Sequence, residues 1–204
     1  MKKIITITAL SLVMLQGQGI FPLTGNDIMN QFKKKMSSVG KFSGILSYTL
    51  STGRTFTGNV TYMAPGNIKI RFSNPSGKIL VANQKKLWLY DPQNKVCAIQ
   101  ELDQEEGMSG GILSLLRDYE VLQTLESEEG YSLKFSNENH EFTEITLVLD
   151  SSFFIKKGNF KNKEGSGFSF SVSGINFSPD IVKSVFDFNV PANTQIVKNP
   201  LNIK

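Results

Sequence analysis

The sequence predicts a mainly β domain whose strands pair antiparallel in a barrel or a strongly curved sheet. In roughly ten short segments, apolar and polar residues alternate with the period of two that is typical of half-buried strands. Gly, Pro, Asn or Asp bounds each segment, which favours turns between them. No long helical pattern separates consecutive segments, so we expect neighbours along the chain to pair antiparallel.

A signal for export is predicted at the N-terminus. Met1-Lys2-Lys3 is positively charged, residues 4–15 are apolar, and Gly17 and Gly19 are small residues of the kind found before a cleavage site. The apolar run is shorter than the about 20 residues that span a bilayer as a helix. We therefore expect a signal peptide over residues 1–19 and a soluble, exported domain over residues 20–204.

An amphipathic helix is expected to follow the signal. Thr24 and Asn26 are candidate N-caps, and Gly40 is expected to end the helix. Its apolar residues, which recur at three- and four-residue spacing, are Ile28, Phe32, Met36 and Val39.

The β pattern starts directly after this helix. Strands are predicted over residues 42–50, 56–62, 68–73, 78–82, 86–90, 95–101, 131–136, 141–149, 153–161 and 167–177. Turns are expected at residues 51–53 and 64–66. Two further helices are predicted, one over residues 110–118 and one that begins at Ser178 and Pro179.

Residues that commonly carry catalysis or bind metals are scarce. One histidine, His140, and one cysteine, Cys97, cannot form any usual zinc site, and residues 102–107 lack the spacing of a calcium loop. His140 lies beside Asn139 and Glu141, where we expect it to face water. We predict no catalytic residues, no metal and no cofactor; two distant carboxylates of a glycosidase would leave no local pattern, so that alternative stays open.

Charge and aromatic content narrow the range of ligands. The formal net charge is +4 and the basic residues form no stripe, which argues against nucleic acid. The 15 phenylalanines fit two arrangements equally well: an ordinary apolar core, or an incomplete barrel with an apolar cavity.

A family resemblance separates these two arrangements. Its residues are Phe56-Thr57-Gly58-Asn59-Val60, Pro65, the strand at 68–72, Asn74-Pro75, Ile79-Leu80-Val81, and Leu87-Trp88-Leu89-Tyr90-Asp91-Pro92. In order and spacing this set resembles the periplasmic outer-membrane lipoprotein carriers of the LolA type. Residues 42–46 and 186–191 extend the resemblance, the latter as a closing strand.

The resemblance implies an incomplete, unclosed antiparallel β-barrel with a lid of short α-helices, which shields lipoprotein acyl chains on their way from the inner to the outer membrane. The implied lipid-binding cavity comprises Phe42, Leu46, Val60, Tyr62, Ile68, Ile70, Phe72 and Leu89. The implied lid residues are Ile28, Phe32, Met36, Ile112, Leu115 and Leu116.

The resemblance also implies a periplasmic monomer whose partners are acylated lipoproteins and an inner-membrane lipoprotein-releasing transporter, with an outer-membrane receptor left open. A lipid or lipoprotein sensor, or a lipid-transfer protein, with the same fold is the alternative. Two departures indicate a divergent branch. Ala64 stands where well-studied members have an arginine that hydrogen-bonds the lid, and Asn83-Gln84-Lys85 replaces a glycine-containing turn.

Overall fold

The computed structural model describes residues 23–102 and 111–200. Within these ranges the helices are α1, Gly25–Ser38, and α2, Gly111–Leu115. The strands are β1 Lys41–Leu50, β2 Thr55–Met63, β3 Asn67–Asn74, β4 Ser76–Ala82, β5 Lys86–Asp91, β6 Val96–Glu101, β7 Glu120–Ser127, β8 Gly130–Ser136, β9 Glu144–Asp150, β10 Ile155–Lys161, β11 Gly167–Asn176 and β12 Gln195–Lys198.

All the strands of the described ranges belong to a single sheet that does not close on itself. Their order is β12-β6-β5-β4-β3-β2-β1-β11-β10-β9-β8-β7, so β12 and β7 form the two edges. Every described pair is antiparallel apart from β6 and β12, which run parallel. The prediction of a mainly β fold with an unclosed barrel is confirmed.

Local sequence explains the best-defined turns. Gly53, in the β1–β2 hairpin, has a φ of +82°, which a residue without Cβ adopts without strain. At the β9–β10 connection, one carboxylate oxygen of Asp150 accepts hydrogen bonds from the main-chain N–H groups of Ser152 and Phe154, at 2.9 and 3.0 Å. Such a carboxylate fixes the turn and thereby the register of the two strands.

One face of the sheet is apolar across most of its width. Directly paired residues on neighbouring strands lie on the same side, so the pairing shows which residues share this face. Two rows of paired residues show this: Gly44, Val60, Ile70, Leu80 and Leu89 cross β1 to β5, and Tyr48, Phe170, Gly158, Leu147 and Leu133 cross β1 and β11 to β8. The opposite face of β1 and β11 pairs Ser47 with Ser171 and Thr49 with Ser169. This hydroxyl-rich side suits contact with water.

The helix α1 packs on the β8–β10 part of the apolar face. Thr24 caps the helix as predicted: its Oγ accepts from the N–H of Asp27, and the Asp27 carboxylate accepts from the N–H of Thr24. The buried residues around the helices form what we call the helix cluster: Ile28, Phe32, Leu116, Leu133, Phe135, Ile145, Leu147, Leu149, Ile155 and Phe160. Neither described helix is both long and apolar enough to cross a bilayer.

The C-terminal segment lies along the other face of β3 and β5. Lys69 Nζ donates to the main-chain oxygen of Val185 at 3.1 Å, and the Phe188 ring lies 6.5 Å from Trp88 and 5.7 Å from Tyr90, measured between centroids. Phe186 is fully buried. The segment therefore shields the apolar surface of this face of the sheet from water.

Several predicted elements are corrected. Residues 178–190 contain no α-helix, and residues 186–191 form no closing strand. A 3₁₀ turn over Lys183–Phe186 is followed by Asp187 in an extended conformation, and the last described strand is β12. The strands β7 and β12 were not predicted. The helix α2 is shorter than residues 110–118, and β9 begins three residues later than predicted. The predicted signal peptide and most of the loop at 102–107 lie outside the described residues.

Candidate binding site

The apolar face of β1 to β4 and β11 brings together six of the eight predicted cavity residues. Val60, Ile70 and Val172 are its buried centre. Around them pack the partly buried side chains Phe42, Leu46, Ile68, Phe72, Leu80, Phe170 and Ile175. We call this set the strand cluster. Sequence reasoning missed Val172, Leu80, Phe170 and Ile175, although the alternation of β11 contained the signal for two of them.

The remaining two predicted cavity residues lie at the border of the strand cluster. Tyr62 stacks on Phe42 with ring centroids 5.3 Å apart. Leu89 pairs with Leu80 and thus shares its face, but its side chain is 41 % exposed and it does not belong to the cluster. The apolar face therefore continues onto β5, where Leu89 remains partly exposed.

The predicted lid residues divide into two groups. Ile28, Phe32 and Leu116 are buried in the helix cluster, and Met36 and Ile112 pack against it. Leu115, in contrast, is 41 % exposed. The helix α1 is thus an integral part of the core, whereas α2 is a five-residue helix with no buried residue inside its bounds.

A row of aromatic rings connects the end of α1 to the strand cluster. Phe177 contacts Phe154 edge-on at 4.9 Å, Phe154 contacts Phe42 edge-on at 5.4 Å, and Lys35 Nζ lies 4.4 Å from the Phe177 centroid. A cation over the face of an aromatic ring is attracted to it. These contacts fix the C-terminal end of α1 to β11 and to the β9–β10 turn.

A cavity of about 440 Å³ opens where α1, α2 and the β2–β3 turn meet. We call it the mouth cavity. Its apolar lining is Met36, Val39, Tyr62, Ala64, Pro65, Ile112 and Leu113, and its other lining residues are Ser37, Gly111, Ser114 and Arg117. Tyr62 lines the cavity and also stacks on Phe42, so the cavity borders the edge of the strand cluster.

Sequence comparison identifies the family. The family described as "Outer membrane lipoprotein carrier protein LolA" matches residues 37–189, more than half of the chain. The chain belongs to the LolA family. Its resemblance to this family, noted from the motifs between residues 56 and 92, is confirmed. The family is one of binding and transport proteins rather than enzymes.

Distant relatives within the LolA family match most of the length of this chain. An outer-membrane lipoprotein carrier protein of Legionella pneumophila (strain Lens) is 21 % identical, and the match covers 93 % of this chain and 97 % of the relative. The protein of the same name from Aeromonas salmonicida (strain A449) is 22 % identical, with 83 % and 88 % covered.

Solved structures share the fold. An uncharacterized conserved protein from Thermus thermophilus superposes with a TM-score of 0.58 at 13 % identity, over 85 % of this chain and 98 % of the other. MucB in the Pseudomonas aeruginosa MucA/MucB complex gives a TM-score of 0.50 at 12 % identity, over 84 % and 62 % of the two chains. These likenesses concern the architecture.

The departure from the LolA pattern at Ala64 lies in the mouth cavity, which α2 also lines. The methyl side chain of Ala64 cannot donate a hydrogen bond to α2. The described hydrogen bonds near this helix are instead made by the segment that follows it. Tyr119 Oη donates to the main-chain oxygen of Phe142 at 2.6 Å, and Asn137 Nδ2 donates to the main-chain oxygen of Asp118. Both fasten the segment after α2 to the β8–β9 connection.

The ionisable groups near the apolar face are kept neutral or turned away from it. Burial raises the pKa of Tyr48, whose ring lies 5.1 Å from that of Phe168, so its hydroxyl is harder to ionise than that of a free tyrosine. Burial and the nearby Arg71 lower the pKa of Lys69, which points to the opposite face and binds Val185. The face is therefore suited to a guest without charge along most of its length.

His140 has the surroundings of a surface residue. Its Nε2 lies 4.0 Å from a carboxylate oxygen of Asp118, its ring lies 5.0 Å from that of Tyr119, and its side chain is 40 % exposed. Within the described parts of the chain, no group of three or more His, Cys, Asp or Glu side chains could hold a metal ion.

Proposed function

We propose that this LolA-family chain is a periplasmic carrier that shields the acyl chains of lipoproteins on the strand cluster and takes them from an inner-membrane releasing transporter toward the outer membrane. The observation that carries the proposal is the apolar face itself. It runs across the sheet, α1 covers its β8–β10 part, and the β1–β5 part consists of a buried centre with partly buried apolar side chains around it, beside the mouth cavity.

The energetics favour such a guest. Each buried CH₂ group contributes about 0.8 kcal/mol, so a single acyl chain gains enough on an apolar surface to leave water without any specific contact. Release requires a competitor for that surface. The helix α2 is a suitable one, because it is short, carries the exposed Leu115, and borders the cavity through Ile112 and Leu113.

The test compares two substitutions on adjacent residues of β1. Leu46→Glu places a carboxylate in the strand cluster, whereas Ile45→Glu places the same group on the opposite face, where Ile45 is 46 % exposed. Both proteins are purified from the source envelope and examined by native mass spectrometry for bound lipoprotein. Circular dichroism verifies that both are folded.

We expect the wild-type chain and Ile45→Glu to retain bound lipoprotein and Leu46→Glu to lose it. Retention by Leu46→Glu, or equal loss in the two variants, would contradict the assignment of the strand cluster. Phospholipid without lipoprotein on the wild-type protein would replace the proposed cargo by a free lipid.

A further inference from the structure

The mouth cavity has a chemically mixed lining. Tyr62, Ile112 and Leu113 are among its apolar residues, and Ser37, Ser114 and Arg117 are its polar ones. Arg117 is the sole residue with a permanent charge among the described residues that line the cavity. A site that combines apolar side chains with one cation matches an amphiphile whose head is anionic.

The guanidinium of Arg117 is available for a ligand. Its described side-chain contact is one hydrogen bond from Nη2 to Ser114 Oγ at 3.5 Å, the limit of hydrogen-bond distance, and its side chain is exposed. A guanidinium presents five donors in a planar fork that fits a phosphate or carboxylate in two-point contact. Ser37 and Ser114 line the same cavity, and Ser114 Oγ lies within reach of the guanidinium, so hydroxyl donors are also present in this site.

We propose that the mouth cavity binds the anionic head of a single-chain lipid, with Arg117 as the residue that selects the head and the acyl chain lying along Tyr62 toward the strand cluster. The position of the acyl chain in this proposal rests on the proposed function, which places acyl chains on the strand cluster. The head-group site adds a selectivity that an acyl-binding surface does not have by itself, because the strand cluster presents no charge to distinguish one head from another.

The experiment measures displacement of a fluorescent fatty-acyl probe by two lysolipids with the same palmitoyl chain. Lysophosphatidylglycerol carries a net negative charge, and lysophosphatidylcholine carries none. Both are used below the concentration at which they form micelles, on the wild-type chain and on Arg117→Gln. Arg54→Gln is the matched control, because Arg54 lies in the β1–β2 turn over the Phe56 ring and does not line the cavity.

Wild type and Arg54→Gln should bind the anionic lysolipid about tenfold more tightly than the neutral one, as expected for one charge-assisted contact, and Arg117→Gln should bind both equally. Equal, tight binding of both lipids to the wild type overturns the head-group site and leaves the carrier proposal standing. Failure of both lysolipids to displace the probe overturns the head-group site, while the carrier proposal is decided separately by whether the wild-type chain retains lipoprotein and Leu46→Glu loses it. Displacement of the probe by inorganic phosphate alone would also refute a lipid-specific site.

Discussion

Replacing Phe32 by alanine tests whether α1 is a movable lid or a part of the core. Phe32 is fully buried in the helix cluster, between α1 and the strands β8 to β10. The family resemblance places it on a lid, which would have to leave the sheet when cargo enters. From its complete burial we predict that α1 stays on the sheet.

The size of the effect follows from this burial. Truncating a buried phenylalanine to alanine costs about 3–5 kcal/mol, from the lost transfer free energy and the cavity left behind. A domain of this kind has a total free energy of unfolding of about 5–15 kcal/mol, so the loss would be a large part of it. Leu115→Ala on α2 should cost less than about 1 kcal/mol, because Leu115 is 41 % exposed.

Urea unfolding followed by circular dichroism measures both variants against the wild type. A midpoint that falls strongly for Phe32→Ala and hardly at all for Leu115→Ala supports the division between a fixed α1 and a loosely held α2. If Phe32→Ala lowers the free energy of unfolding by less than about 1.5 kcal/mol, about half of the minimum expected, α1 is a weakly held element and the reasoning from burial is wrong.

Two further predictions concern the sheet. A hydrogen bond and ion pair from Lys78, at 2.8 Å, lower the pKa of Asp91 from 3.8 to about 2. This carboxylate therefore contributes stability above pH 4 that is lost as the pH falls through about 2. Asp91→Asn should lower the urea midpoint at pH 7, and the difference from wild type should shrink as the pH falls from 4 and vanish below pH 2. Gly158→Ala should lower the free energy of unfolding by about 1–3 kcal/mol through overpacking, because a Cβ there would collide with the Phe170 ring. Gly40→Ala should unfold like the wild type, because the space that its Cβ would occupy is open. Equal urea midpoints for the two variants would contradict this packing.

Period-two alternation predicted ten of the strands because each is a local pattern with a turn at both ends. The strand β7 lacks this pattern. Val121 and Leu122 are adjacent apolar residues, and a register shift between Val121 and Gln123 disturbs the pairing, so no simple alternation exists to be read. Both apolar residues are largely exposed at the edge of the sheet.

The C-terminal errors have a different cause. Ser178 and Pro179 form a valid local signal for the start of a helix, but the decisive contacts are with distant residues. Phe186 is buried at the end of the 3₁₀ turn, and Phe188 packs on Trp88 and Tyr90 from β5, so the segment follows the sheet and does not continue as an α-helix. Tertiary packing thus overrides a local cap, and a four-residue strand that pairs parallel with β6 leaves almost no pattern in the sequence.

Period-two alternation also made part of the candidate site predictable. Alternation placed Val60, Ile70 and Phe72 on one face of adjacent strands, where the structure has them. The alternation of β11 put Val172 on an apolar face of that strand, but β11 pairs with β1, which is far away along the chain, so local sequence did not show that this face joins the strand cluster. Arg117 belongs to no motif, and its position beside the β2–β3 turn depends on how α2 packs.

The unclosed sheet has a mechanical consequence. In a closed barrel, strand number and stagger together fix the radius, so the interior has one width. A sheet with free edges at β12 and β7 obeys no such condition and can change its curvature by small changes of twist between neighbouring strands, without breaking any ladder hydrogen bond. If the chain carries acyl chains as proposed, the width of its binding surface is therefore set by the elastic strain of the sheet and not by the fixed dimensions of a closed barrel.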